Sequence, residues 1–247
     1  MNQDEYTKMF NLEDRYWWFV GRRELAIRLA TSGLKTGQPR FLDVGCGTGA
    51  VLRELSKRGE AVGLDVSPLA LAYARTRGIP SLVLGDATAL PFGDREFDAV
   101  VGLDIFEHIE DHERAYQEAA RVLRPGGVLV LSVPAFRSLW SPHDVALHHF
   151  RWYRRAEIAA CLRQAGLEPV RVSYAVFFLF PLVLVSRLLE KFRRGPARAS
   201  LPAVPGWLNA ALVRLQAFEA RLIVEAGLNL PWGSSVVALA RKPGGGS

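Results

Sequence analysis

The feature that most constrains this chain is an apolar segment that runs into closely spaced glycines, with the sequence FLDVGCGTG at residues 41–49. Val51, Leu52 and Leu55 follow at helical spacing. The pattern predicts a buried strand, a tight glycine loop and a helix, a geometry that brings backbone N–H groups close to a ligand. The third glycine stands one residue earlier than in the dinucleotide pattern G-x-G-x-x-G.

Further along, three apolar segments each lead into an acidic residue: Asp65, Asp86 and Asp104. Because parallel strands end at one edge of a sheet, we expect these carboxylates to lie near the glycine loop. A carboxylate after the second strand can accept hydrogen bonds from both ribose hydroxyls of an adenosine. The glycines and Asp65 alone leave a nicotinamide cofactor and S-adenosylmethionine both open.

Taken together, these motifs resemble the class I S-adenosylmethionine-dependent methyltransferases over roughly residues 38–133. The glycine loop, Asp65, GDATALPF at 85–92 and FDAV at 97–100 follow that family's pattern in order. The resemblance implies a methyltransferase with S-adenosylmethionine as cofactor and S-adenosylhomocysteine as product. The residues implied for cofactor binding are Asp43, Gly45, Cys46, Gly47, Gly49, Asp65, Val66, Asp86, Ala87, Leu103 and Asp104, with Trp18 and Arg22 from an N-terminal lid.

Alternating strand and helix patterns predict an α/β fold, a Rossmann-like, mostly parallel sheet of seven strands with helices on both faces. The resemblance adds that the last strand runs antiparallel. We expect a single domain, 1–247, built from a helical lid (1–37), a cofactor-binding core (38–173), a helical insertion (174–233) and the last strand (234–243). Strands are expected near 40–44, 61–65, 81–84, 97–101, 128–133, 168–173 and 235–241.

All five histidines lie between residues 108 and 149, in segments that follow the fourth and fifth strands. Methyl transfer to oxygen or nitrogen generally requires a base near neutral pKa, so His108, His143 and His149 are the candidate catalytic residues. Glu107-His108 resembles the Glu-His pair of quinone-type O-methyltransferases. A metal site built from these residues and a distant histidine is the alternative, but we predict none.

Residues 174–233 stand where the resembled fold has a short hairpin. Residues 175–185 are continuously apolar, and the uncharged run 172–186 is shorter than the ~20 residues of a membrane-spanning helix. Arg187, Lys191, Arg193, Arg194 and Arg198 follow, opposed by Glu190. Peripheral membrane contact through 175–198, a lid over an apolar pocket and a homodimer surface all fit this pattern. A helix near 206–227 carries an apolar stripe that we expect to serve packing rather than function: Leu208, Leu212, Leu215, Phe218 and Leu222.

Chain length, net charge and cysteine content limit the functions that this chain could have. The chain has 247 residues, a formal net charge of +6 and two cysteines. The cysteine usage and the polar start of the chain predict a cytoplasmic protein. We therefore expect a methyltransferase that acts on a small-molecule or lipid-linked acceptor, with oxygen as the leading accepting atom and nitrogen or carbon as alternatives. A nucleic acid or protein acceptor, a nicotinamide-dependent reductase and a non-catalytic partner are the alternatives, and no RNA-binding module is visible.

Overall fold

The computed structural model describes residues 3–34, 37–79, 81–136, 150–185 and 203–244. Within them one sheet contains seven strands: β1 (Arg40–Val44), β2 (Glu60–Asp65), β3 (Leu82–Leu84), β4 (Phe97–Leu103), β5 (Leu123–Pro134), β6 (Glu168–Ala175) and β7 (Ser235–Arg241). Their order is β3-β2-β1-β4-β5-β7-β6, and β7 runs antiparallel to both of its neighbours. The predicted Rossmann-like sheet with an antiparallel last strand is confirmed.

Helices pack on both faces of this sheet. They are α1 (Gln3–Leu12), α2 (Trp17–Thr31), α3 (Ala50–Ser56), α4 (Pro68–Thr76), α5 (His112–Val122), α6 (Arg155–Gln164) and α7 (Gly206–Val224), with a 3-10 turn at Phe106–His108. Alternate strand residues enter two separate cores: Leu42 packs with the α5 and α6 side, whereas Phe41 packs with the α2 and α7 side. Both cores are dominated by aliphatic side chains, as a sheet buried on both faces requires.

Two boundaries differ from the sequence prediction. β5 begins at Leu123 rather than 128, because the turn at 124–127 is an irregularity within the β4–β5 pairing, and Gly126 adopts a φ of +82°. α7 ends at Val224 rather than 227, since Gly227 takes the left-handed conformation (φ +73°) that commonly terminates helices.

The predicted apolar stripe of α7 is not its buried face. Phe218 is 51% exposed, and Leu208, Leu212, Leu215 and Leu222 are half-buried. The residues that α7 buries are Gln216, Glu219, Ala220 and Ile223. The more deeply buried face includes a polar side chain with specific backbone partners: the Glu219 carboxylate accepts hydrogen bonds from the Val176 and Phe177 N–H groups at 2.5 and 2.8 Å.

α7 is tied to α2 at one end and packs closely against it in the middle. Asn209 accepts a hydrogen bond from the Trp17 N–H (2.9 Å) and donates one to the Arg15 carbonyl (2.7 Å). It thereby caps the start of a helix that lies 192 residues away in sequence. Gly21 faces Gln216, where a Cβ atom would lie 2.6 Å from the Gln216 Cβ. The N-terminal helix and the insertion therefore form one packed layer.

Candidate functional site

The glycine loop turns sharply at the carboxyl end of β1. Gly45, Gly47 and Gly49 all have positive φ values, from +54° to +86°, which residues with a Cβ rarely adopt. The Gly45 and Cys46 N–H groups both donate to the Leu64 carbonyl, at 2.7 and 3.0 Å. A Cβ on Gly45 would lie 2.7 Å from the Ile105 side chain, so glycine also permits close packing here.

Asp65 is held in place by the backbone of this loop and of its own turn. Its Oδ2 accepts from the Gly47 N–H and its Oδ1 from the Ser67 N–H, both at 2.9 Å. Burial raises the pKa of this carboxyl, and the two backbone hydrogen bonds oppose that shift. Each carboxylate oxygen has a second lone pair, so the fixed group retains the capacity to accept hydrogen bonds from a ligand.

The third strand brings a second acid to the same edge. Asp86 is exposed, and its Oδ1 accepts hydrogen bonds from the Thr88 N–H and hydroxyl, both at 2.8 Å. Gly85 N–H donates to the Asp65 carbonyl at 3.1 Å, which places the two strand ends side by side. Ala87 is buried, whereas Val66 is 64% exposed and leaves an open apolar surface beside Asp65.

Asp43 and Cys46, both predicted to bind the cofactor, are buried, at 3% and 7% exposure. Burial raises the pKa of Asp43 to about 8, with Asp65 as the next contributor. Burial likewise raises the pKa of the Cys46 thiol. A Cβ on Gly63 would lie 2.9 Å from the Cys46 sulfur, so this side chain packs against β2. Both side chains therefore lie inside the protein, beneath the loop surface.

The end of β4 forms the other half of the site. Asp104 has a φ of +51°, unusual for a residue with a side chain, and strain of this kind often marks functional positions. Its N–H donates to the Ser132 carbonyl at 2.8 Å, and its Oδ1 accepts from the Ser132 hydroxyl at 3.2 Å. Its Oδ2 forms an ion pair with Arg22 of α2. In this structure Arg22 is therefore paired with a carboxylate of the protein itself.

A cavity opens next to this ion pair. Its lining combines the aromatic Trp18, the cation Arg22, Leu103 and Ser132 of the sheet, and residues of the insertion such as Val176 and Gln216. The N-terminal lid, the end of β4 and the insertion therefore meet at one place. The structure brings Trp18, Arg22, Leu103 and Asp104 close together, and their role in cofactor binding stays a prediction.

Glu107 belongs to the Glu-His pair noted in the sequence, but it is not among the predicted site residues. It is fully buried, and neither side-chain oxygen has a hydrogen-bond partner among the described residues. Burial raises its pKa to about 8, and the charge of Arg22 opposes the shift. Desolvation conversely lowers the pKa of Arg22 to about 10, with Glu107 and Glu13 opposing. A buried carboxyl beside a cation is a recurrent feature of catalytic sites, and its place before a histidine at a strand end was the available signal.

The histidine candidates are only partly placed. His108 ends the 3-10 turn, and its N–H donates to the Ile105 carbonyl at 2.9 Å. His143 and His149 lie outside the described residues, as do residues 186–198 of the insertion. In the described part of the chain, no group of three or more His, Cys, Asp or Glu side chains is arranged to hold a metal ion.

Helix α1 covers the glycine loop through contacts that sequence reasoning missed. The Met9 methyl group lies against Gly47, where an added Cβ atom would be only 3.2 Å from the methyl carbon. Glu13 accepts hydrogen bonds from the Thr48 hydroxyl and, at 2.5 Å, from Arg77. Arg77 also donates to the Thr48 carbonyl at 2.7 Å. A buried ion pair thus fixes the N-terminal lid to the loop, and no local sequence pattern pairs residues 64 positions apart.

Comparison with known proteins gives consistent matches. A family described as a methyltransferase domain matches residues 42–131. The chain is 41% identical over 120 residues to a demethylmenaquinone methyltransferase of Mycobacterium sp. (strain KMS), an alignment that covers 48% of each chain. The chain thus spans about half the length of these curated relatives.

A longer alignment extends to most of another relative. The chain is 30% identical over 199 residues to a ubiquinone biosynthesis O-methyltransferase of Xanthomonas oryzae pv. oryzae (strain PXO99A), covering 70% of this chain and 83% of the relative. The fold is similar to that of a solved S-adenosylmethionine-dependent methyltransferase from Thermotoga maritima, with a TM-score of 0.61 and 21% identity over 97% of this chain and 95% of the other.

Proposed function

Because the chain belongs to the class I S-adenosylmethionine-dependent methyltransferases, we propose that it transfers a methyl group to an oxygen atom of a small-molecule or lipid-linked acceptor. The observation that carries this proposal is the meeting of three elements at one sheet edge: the glycine loop, the fixed Asp65 carboxylate, and the Arg22–Asp104 pair beside a cavity. The quinone methyltransferases among the relatives support the choice of acceptor class.

The residues present fit S-adenosylmethionine. Three glycines with positive φ let backbone approach a ligand without a Cβ, and Asp65 offers carboxylate oxygens oriented by Gly47 and Ser67. We assign Asp65 to the ribose hydroxyls, Asp86 to the adenine amine, and the backbone of Leu103 and Asp104 to the methionyl amine. The cofactor, when bound, supplies a methyl carbon made electrophilic by a sulfonium.

The chain's own contribution to the reaction is to orient the acceptor and to receive its proton. An in-line displacement needs the accepting atom ~3 Å from the methyl carbon. The cavity between Trp18, Leu103 and Gln216 is our proposed acceptor pocket. His108, His143 and His149 remain the proposed proton acceptors, and the Asp104 carboxylate holds Arg22 at the pocket wall.

Replacing Asp65 tests the cofactor site. We expect Asp65→Ala to weaken S-adenosylhomocysteine binding by about tenfold or more, since tenfold is about 1.4 kcal/mol and lies at the low end of what losing a hydrogen bond to a charged group costs. Isothermal titration calorimetry measures the affinity. Glu60→Ala is the matched control, because Glu60 lies at the other end of the same strand, away from the proposed site. Unchanged affinity in a folded Asp65→Ala protein contradicts the assignment.

Distribution of a labelled methyl group tests the acceptor class. The protein and methyl-labelled S-adenosylmethionine are incubated with a cell extract that is then separated into lipid, small-molecule, protein and nucleic acid fractions. We expect label in the lipid or small-molecule fraction, and Asp65→Ala should lower it. Label confined to protein or RNA would favour the alternative acceptors, and none above the Asp65→Ala background would argue against methyl transfer.

A lipid-linked acceptor also bears on where the protein works. We infer a cytoplasmic protein that meets a membrane peripherally through residues 175–198, with a homodimer through the same segment as the alternative. In the described part of the chain, no helix is both long and apolar enough to cross a bilayer.

A further inference from the structure

The outer surface of the insertion carries large apolar side chains in contact with water. Trp207 is 75% exposed, Leu182 68% and Val185 53%. Phe178 and Phe218 are also exposed, and their rings lie 6.0 Å apart, so the segment 176–185 and helix α7 share one continuous surface. Clustered apolar side chains of this size mark an interaction site more often than scattered ones do.

The exposed face of α7 is aromatic and basic. Residues spaced four and three apart form one stripe along the helix, and all of them are exposed: Trp207, Ala211, Arg214, Phe218 and Arg221. None of these five is acidic. Within Gly206–Val224 the one acid, Glu219, is buried on another face, and the exposed Glu225 that caps the helix is paired with Arg28. The stripe therefore offers aromatic rings and positive charge to whatever covers it.

Glu219 links helix α7 to the segment 176–185 by hydrogen bonds. Its carboxylate accepts from the Val176 and Phe177 N–H groups, and at 3.4 Å from the Phe178 N–H. Val176 has a φ of +62°, so the chain turns abruptly here as it leaves β6. This link fixes Phe178 beside Phe218 and holds the apolar surface in place.

We propose that this surface, formed by residues 176–185 and the Trp207–Arg221 stripe of α7, binds the face of an anionic phospholipid membrane. Aromatic side chains favour the boundary between headgroups and acyl chains, and arginines beside them attract anionic lipid. The sequence that continues from the surface contains five Lys or Arg and one Glu between 187 and 198, outside the described residues. An antiparallel contact with a second copy centred on Phe218 fits less well, because it would place Arg214 opposite Arg221.

This surface also borders the proposed acceptor pocket. Gln216 and Val176 line the cavity from the inside, while Phe218 and Phe178 face outwards from the same helix and the same turn. The inference extends the proposed function by naming a place where a lipid-linked acceptor meets the protein. Membrane binding itself needs no methyl transfer, so the two proposals can fail separately.

Vesicle co-sedimentation tests the surface directly. The full-length protein, without cofactor, is mixed with phosphatidylcholine vesicles containing about one third phosphatidylglycerol. We expect binding that weakens with added salt, and a loss of about tenfold or more in Phe218→Glu and in Leu182→Glu. Val170→Glu is the matched control, since Val170 is 49% exposed near the other end of β6. Asp65→Ala should bind like the unmodified protein.

Three results would overturn the proposal. The first is no binding of the unmodified protein to these vesicles. The second is equal loss of binding in Val170→Glu and Phe218→Glu. The third is a dimer, detected by light scattering, that Phe218→Glu abolishes in a protein that does not sediment with vesicles; this would assign the surface to a second copy. Circular dichroism, measured in parallel, verifies that each variant is folded.

Discussion

At the scale of single residues, the site contains carboxyl groups whose ionisation is disfavoured by burial. The pKa of Glu107 and that of Asp43 are both raised to about 8, chiefly by burial. Both groups are therefore mainly protonated at neutral pH in the protein without ligand. Because the folded-state pKa is raised, the protonated carboxyl favours the folded state. For Glu107 this contribution to the free energy of unfolding is fully present below the unfolded pKa of about 4.5, and it is lost as pH rises through about 8.

We therefore predict that the melting temperature falls as pH rises from about 5 to about 9, and that Glu107→Gln makes this fall shallower. The amide keeps the shape of the protonated acid and cannot ionise. Differential scanning fluorimetry across this pH range provides the measurement. Glu110→Gln serves as the control, because Glu110 follows the same turn and is exposed. If the Glu107→Gln protein keeps the full alkaline decrease, Glu107 is not the group that carries it.

At the scale of elements, the packing of α2 on α7 determines whether the lid and the insertion meet. We predict that Gly21→Ala destabilises the protein by about 1–3 kcal/mol, the usual cost of overpacking, because the new Cβ would lie 2.6 Å from the Gln216 Cβ. Chemical denaturation measures the change in the free energy of unfolding.

The same helix pair offers a control for that substitution. Gly206 begins α7, and a Cβ there would meet nothing within 4 Å. Gly206→Ala should be neutral or slightly stabilising, since alanine restricts the unfolded chain. Equal stability of the Gly21→Ala and Gly206→Ala proteins would show that α7 shifts freely on α2, contrary to the close contact in the structure.

At the scale of the whole molecule, the sequence predicted the sheet better than it predicted the lids. Strand positions followed from apolar segments, glycines and acids that lie close together in the chain, such as 41–49 and Asp65. The orientation of α7 could not be predicted from its apolar periodicity, because Glu219 and Gln216 turn inward to meet partners at 176–178 and Gly21. The Arg22–Asp104 and Glu13–Arg77 pairs join segments 82 and 64 residues apart, beyond the reach of local patterns.

The position of β7 has a consequence for how the chain is made. β7 is the last strand in sequence, but it lies between β5 and β6, and among the described strands β6 pairs with β7 alone. On the ribosome, β6 and the insertion emerge well before the strand that joins them to the sheet. The growing chain must therefore keep the edges of β5 and β6 from aggregating until residues 235–241 have left the exit tunnel.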